Sequence, residues 1–150
     1  MDLKKVLETG LKMEESARDF YQRSMEAVVH PGAKAMLKFL VDEEVRHVQM
    51  FQDALAGKEV DFGAKAPAVG QDLKIGEYLI EPTLTDSSDP AEIITIAIKA
   101  EMRAIKFYSE SAAHFVGTEA EKLLSGLVAE EKAHKAQLER LYDDEFLQEN

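Results

Sequence analysis

Four glutamates and two histidines are the residues whose types and spacing could do chemistry. Each histidine follows a glutamate by three positions, and each remaining glutamate lies 30 residues before one of these Glu-x-x-His pairs. A glutamate and a histidine three residues apart on a helix share one face and can bind the same metal ion. Oxygen-rich ligation with one imidazole per metal favours iron or manganese over tetrahedral zinc. The six residues are Glu14, Glu44, His47, Glu101, Glu131 and His134.

Four stretches with helical periodicity would position these residues, at about 2–29, 31–56, 90–116 and 119–143. Their ends carry start and stop signals, which include Pro31, Gly57, an Asp89 N-cap before Pro90, and Thr118 with a glutamate three residues later. The sequence predicts a single all-α domain over 1–150. It consists of hairpin 1 at about 2–56, a crossover at about 57–89, hairpin 2 at about 90–143 and a short C-terminal tail.

An internal repeat supports the division into two hairpins. A shift of 87 residues aligns 9–55 with 96–142 without a gap, and 14 of the 47 pairs are identical. The identities include the six candidate ligands and the pair Tyr21 and Tyr108. Two copies of one hairpin related by a pseudo-twofold axis would form a four-helix bundle.

The candidate ligands occupy the middle of otherwise apolar seams, where uncompensated charge is costly. Holding four carboxylates in a core would consume the whole stability of a domain, about 5 to 15 kcal/mol. No lysine or arginine lies on the four seams. Two divalent cations would balance the four carboxylates, so we predict a dinuclear metal site.

Composition excludes several other classes of protein. The chain is 45% hydrophobic and 31% charged, with a formal net charge of -11, so neither nucleic acid nor a membrane is an expected partner. Cysteine is absent, which excludes disulfides, thiolate zinc sites and iron–sulfur clusters. The segment Met1–Lys5 lacks the apolar stretch of a secretory signal, and we therefore expect a cytoplasmic protein.

The ligand pattern resembles that of the ferritin-like di-iron carboxylate proteins, and the spacing and long crossover are most similar to the rubrerythrin type. The resemblance covers all four helices. It implies a ferritin-like four-helix bundle in which the six residues bind two iron ions, with manganese as an alternative metal and with Glu44 and Glu131 bridging the two metals. It also implies that Tyr21 and Tyr108 hydrogen-bond ligand carboxylates, although core packing of these aromatic rings is an equally good interpretation.

Three departures from the family bear on function. The chain has no cysteine for a rubredoxin-like iron site, so any reductant would be an external electron donor protein. Ala104 stands where rubrerythrins place an additional glutamate, and Val45 stands where bacterioferritins place a haem-binding methionine, so no haem is expected.

Two functional classes follow from the resemblance. The first is an oxidoreductase that reduces hydrogen peroxide or dioxygen as a homodimer or small homo-oligomer. The second is iron binding and storage with ferroxidase activity, which needs a large closed shell of subunits. A helical interaction protein with a vestigial site is the remaining possibility. Glu15, Glu43 and Glu130 adjoin ligands but point about 100° away, which predicts surface charges; His30 and His114 are expected to face solvent or to cap helices.

Overall fold

The computed structural model describes residues 2–58 and 88–147, and all regular structure in these ranges is helical. The predicted all-α bundle of two hairpins is confirmed. The third helix ends somewhat earlier than the periodicity indicated, and the fourth continues somewhat further. The predicted crossover lies almost entirely outside the described residues. The helices are α1, Leu3–Ala27; α2, Pro31–Leu55; α3, Pro90–Ala113; and α4, Glu119–Glu145.

The helix ends follow the signals in the sequence. Asp89 accepts a hydrogen bond of 3.1 Å from the backbone N–H two residues later, which satisfies a free donor at the start of α3. At the start of α4, the hydroxyl oxygen of Thr118 accepts a hydrogen bond of 3.2 Å from the backbone N–H of Glu121. The Glu121 carboxylate accepts from Gly117 rather than from the Thr118 N–H, so the capping box is displaced by one residue. After α2, Gly57 has a φ of 73°, a left-handed conformation that glycine adopts without strain.

The apolar core consists of two clusters, one near each end of the bundle. One cluster contains Leu7, Phe51, Phe107, Phe115 and Leu124 among its members. The other contains Phe20, Leu37, Leu40, Ile94 and Leu138. Both draw residues from all four helices, and the six charged or imidazole residues of the seams belong to neither cluster. The candidate ligands therefore occupy a polar layer between two apolar ones.

The composition of the clusters fixes the direction of the helices. The start of α1 shares a cluster with the end of α2 and with Phe107 of α3, so α1 runs antiparallel to both helices. Phe51, near the end of α2, and Ile93, at the start of α3, belong to opposite clusters. Because the chain leaves one end of the bundle and returns at the other, a short turn cannot join the two hairpins. Among the described residues, no helix combines the length and low charge needed to cross a bilayer.

Candidate metal centre

All six candidate ligands are buried at mid-helix. Each is at most 3% exposed, although four are glutamates, a residue type that is almost never fully buried without a partner. The three- and four-residue steps of each seam turn them inward together with the apolar residues above and below. The structure thus brings together residues from all four helices that are up to 120 positions apart in the sequence.

The six side chains form two overlapping groups of four. In each group, one ligand atom from every residue lies within 4.8 Å of the others. Glu44 and Glu131 belong to both groups. This is the arrangement that two neighbouring cations sharing two carboxylates would require. The groups are Glu14, Glu44, His47 and Glu131, and Glu44, Glu101, Glu131 and His134.

Several ligand atoms lack the partners that buried polar atoms normally have. Oε2 of Glu44, Oε2 of Glu101 and Nδ1 of His134 are inaccessible to solvent and form no hydrogen bond among the described residues, and Oε1 of Glu131 has only Nδ1 of His47 beside it, at 3.0 Å. Leaving such atoms unpaired costs about 1–3 kcal/mol each. All four lie in the two groups, and a divalent cation in each group would satisfy them. The donor set therefore fits a dinuclear metal centre.

The protonation of His47 shows how strongly the carboxylates act on the centre. Its Nδ1 lies 3.0 Å from Glu131, 3.4 Å from Glu14 and 3.8 Å from Glu44. Burial alone would lower the pKa of this imidazole, but hydrogen bonds and charge from Glu131 and Glu14 outweigh burial and raise it from 6.5 to about 10. His47 therefore carries the positive charge in the metal-free protein.

Two other groups have pKa values set by the same crowding. Burial and the charge of Glu14 raise the pKa of Glu131 from 4.5 to about 7, although His47 opposes the shift. Burial and the charge on His47 lower the pKa of His134 below its ordinary value. Without metal, the centre thus holds protons on one histidine and, in part, on one carboxylate.

Two tyrosines hold two of the carboxylates across the bundle. The hydroxyl of Tyr108 donates to Oε1 of Glu14 at 2.6 Å, and that of Tyr21 donates to Oε1 of Glu101 at 3.0 Å. Burial raises the pKa of both hydroxyls well above 10, and nearby carboxylate charge adds to the shift, so both remain donors. Both tyrosines also pack in the apolar clusters, so the two interpretations of these residues hold together.

The outer side of the histidines contains residues whose role the sequence did not reveal. Glu130 and Glu43, expected to be surface charges, are only partly exposed, and each faces the Nε2 atom of a histidine on the other hairpin. Arg46 forms ion pairs with both glutamates. The identity of Glu43 and Glu130 in the repeat was a signal for this pair, whereas Arg46 has no counterpart that could have indicated its role.

The remaining two histidines lie away from the centre. His30 caps α2, since its Nδ1 accepts a hydrogen bond of 3.1 Å from the Ala33 N–H. His114 is the C-cap residue of α3, which confirms the capping alternative, and its side chain is 7% exposed and therefore does not face solvent. Neither residue belongs to the two groups of ligand atoms.

A small cavity reaches the centre between α1 and α3. Its walls include Met13, Ala17, Ala104 and Arg103, and its inner end is formed by the ligand carboxylates. Ala17 and Ala104 are equivalent in the repeat, and their methyl groups leave space beside Glu14 and Glu101. The cavity therefore lies directly against the carboxylate cluster.

The fold and the site together define a class of protein, a four-helix bundle with a buried carboxylate and histidine cluster that is compatible with binding two iron ions. A family model described as Rubrerythrin matches residues 1–55, which contain α1, α2 and the first three of the six candidate ligands. This match confirms the resemblance to the rubrerythrin type over the first hairpin. No curated protein and no solved structure matches the chain.

Proposed function

We propose that this protein is a dinuclear iron oxidoreductase that reduces hydrogen peroxide, or dioxygen, with electrons from an external donor protein. The observation that carries the proposal is the sharing of Glu44 and Glu131 by two groups of buried ligand atoms. A single structural metal needs only one such group. Two adjacent positions are the arrangement expected where two metals act on one small molecule.

The chemistry that the metals would supply is a two-electron reduction. Two ferrous ions would give the two electrons that, with two protons, convert hydrogen peroxide to two water molecules. Iron is the proposed metal because the donor set has more carboxylate than imidazole and contains no thiolate. Manganese fits the same donors, and the absence of a methionine at Val45 argues against haem.

The residues of the chain perform three tasks in this proposal. The six ligands hold the two cations, and they must release protons to do so, because Nδ1 of His47 is protonated in the metal-free protein. Tyr21 and Tyr108 fix the carboxylates of Glu101 and Glu14 and limit how far they can move. The apolar layers on both sides exclude bulk water from the centre.

The cavity between α1 and α3 supports a small oxidant as the substrate. The cavity is small, and its lining includes the methyl group of Ala104, which stands where the resemblance places an additional glutamate in rubrerythrins. A molecule the size of peroxide needs no larger space. Without that carboxylate, six protein ligands would hold the two metals, fewer than the resemblance implies for the rubrerythrins.

The proposal includes the partners and setting of the protein. The 150 residues contain no cysteine that could hold a thiolate iron relay, so we propose a separate electron donor protein. We further propose a homodimer or small homo-oligomer in the cytoplasm. Sedimentation or size-exclusion mass tests the assembly, since a large closed shell would favour the storage function instead.

Metal analysis followed by rapid kinetics tests the proposal. Anaerobic loading with Fe²⁺ should give two ions per chain, and Glu44→Ala should give none, while Val45→Ala, a neighbouring exposed position, should retain both. In stopped-flow mixing, the reduced protein should react faster with hydrogen peroxide than with dioxygen. One tetrahedral zinc ion, or faster oxidation by dioxygen with many ferric ions retained per chain, would contradict the proposal and the second outcome would favour storage.

A further inference from the structure

The symmetry of the two hairpins breaks down on the outer side of the two histidines. The six candidate ligands form three pairs of identical residues that lie 87 positions apart, and Glu43 and Glu130 form a fourth such pair. Arg46, by contrast, corresponds to Ala133, and Phe39 corresponds to Gly126. The two metal positions therefore have the same ligands but different surroundings.

The surroundings of His47 are polar and tightly connected. Its Nε2 lies 3.2 Å from Oε2 of Glu130. The other oxygen of Glu130 accepts from Arg46, which also contacts Oε2 of Glu43 at 3.0 Å. An ionised carboxylate can only accept, so the imidazole donates its Nε2–H to Glu130. Arg46 thus anchors the carboxylate that holds the outer edge of His47.

The surroundings of His134 lack this connection. Its Nε2 is 3.7 Å from the nearest oxygen of Glu43, too far for a hydrogen bond. The ring of Phe39 meets the imidazole edge-to-face, with 5.6 Å between ring centroids. The equivalent residue of the other hairpin is Gly126, which has no ring to offer and where an added Cβ would have no neighbour within 4 Å. His134 is therefore held by an aromatic contact and His47 by a charged hydrogen bond.

We propose that Glu130, anchored by Arg46, is a positioning residue that is specific to the metal position of His47. When a metal ion replaces the proton on Nδ1, the hydrogen bond to Glu130 would keep the other proton on Nε2 and hold the ring so that Nδ1 points at the position completed by Glu14, Glu44 and Glu131. Glu43 has no comparable role for His134. The inference rests on the metal centre of the proposed function, but not on the reaction that the centre performs.

The test compares equivalent substitutions in the two hairpins. Mn²⁺ is titrated into the metal-free protein, and anomalous scattering from crystals grown at limiting Mn²⁺ gives the occupancy of each position. Glu130→Ala should lower the affinity of the His47 position about 10-fold or more and empty it at limiting metal. Glu43→Ala should lower that of the His134 position less than about threefold, because no hydrogen bond is lost.

Two further variants separate positioning from general loss of structure. Glu130→Gln keeps an oxygen that can accept the Nε2–H, and it should retain most of the affinity that Glu130→Ala loses. Arg46→Ala should weaken the same position by an intermediate factor, with unchanged helical content by circular dichroism. Equal effects of Glu130→Ala and Glu43→Ala, or no rescue by Glu130→Gln, would overturn the positioning role while leaving the metal centre intact. A wild-type chain that binds neither Mn²⁺ nor Fe²⁺ would overturn both.

Discussion

Tyr108 donates a hydrogen bond of 2.6 Å to Oε1 of Glu14, and this contact joins the third helix to the first at the level of the candidate metal centre. The two residues are 94 positions apart. Tyr21 and Glu101 repeat the contact in the opposite direction at 3.0 Å. Each hairpin thus supplies one tyrosine hydroxyl, and that hydroxyl donates to a glutamate carboxylate of the other hairpin.

Removal of the Tyr108 hydroxyl should destabilise the protein. Tyr108→Phe keeps the ring in its cluster and removes a hydrogen bond to a charged group, so the free energy of unfolding should fall by about 1.5–3 kcal/mol. Chemical denaturation of the metal-free protein measures the change. Tyr142→Phe, on the less buried part of α4, is the control and should have little effect. If both variants unfold at the same denaturant concentration, the buried hydrogen bond makes no net contribution to the free energy of unfolding.

The two shared carboxylates should matter more for metal binding than the two unshared ones. Glu44→Ala and Glu131→Ala remove a ligand from both groups, so each should abolish dinuclear binding. Glu14→Ala and Glu101→Ala remove a ligand from one group only and should leave one metal position filled. Elemental analysis after loading and desalting measures the stoichiometry. An identical loss in all four variants would contradict the sharing of Glu44 and Glu131.

The stability of the metal-free protein should fall as pH rises from about 6.5 to 9. The folded pKa values of Glu131 and His47, about 7 and about 10, exceed their ordinary values of 4.5 and 6.5. The folded state therefore binds more protons than the unfolded state, and the stabilisation is lost as pH rises through the folded pKa values. His134, whose pKa is lowered, acts in the opposite direction only below pH 6.5.

Denaturant unfolding of the chelated protein at several pH values checks this dependence. Glu131→Gln has no proton to lose at that position, so its stability should vary less between pH 6.5 and 8. Bound metal should raise the melting temperature at neutral pH and reduce the pH dependence, because the cations replace the protons. A metal-free protein that becomes more stable towards pH 9 would contradict the assigned directions.

The helix contact at Gly10 should tolerate no side chain. A Cβ placed there would lie 2.5 Å from Cε1 of Phe51, which is fully buried. Gly10→Ala should therefore lower the free energy of unfolding by about 1–3 kcal/mol. The second hairpin has Ala97 and Leu138 at the equivalent positions.

That natural pair provides the control for the prediction. Gly10→Ala combined with Phe51→Leu reproduces the combination of the second hairpin and should recover part of the lost stability. Thermal unfolding of the single and double variants measures the coupling. A double variant less stable than the sum of the two single changes would show that the contact is not limited by space.

The sequence by itself predicted the four helices, most of their caps and the six residues that the structure brings together at mid-bundle. These features depend on local rules, since helical periodicity decides which side chains share a face and capping depends on residues at most a few positions apart. The repeat relates the two halves of the chain. If the first hairpin buries Glu14, Glu44 and His47, its copy is expected to bury the equivalent residues, which are Glu101, Glu131 and His134.

Only the tertiary structure decided how the outer residues act on that centre. Because Glu43 and Glu130 point about 100° away from the neighbouring ligand, the sequence predicted that they would be surface charges. In the structure they lie between the two hairpins. Whether Glu130 reaches His47 depends on how α2 and α4 approach each other. The spacing of residues within a single helix does not determine the distance between two helices. The same holds for Arg46, because its ion pair with Glu130 joins residues 84 positions apart, and only the packing of one hairpin on the other creates it.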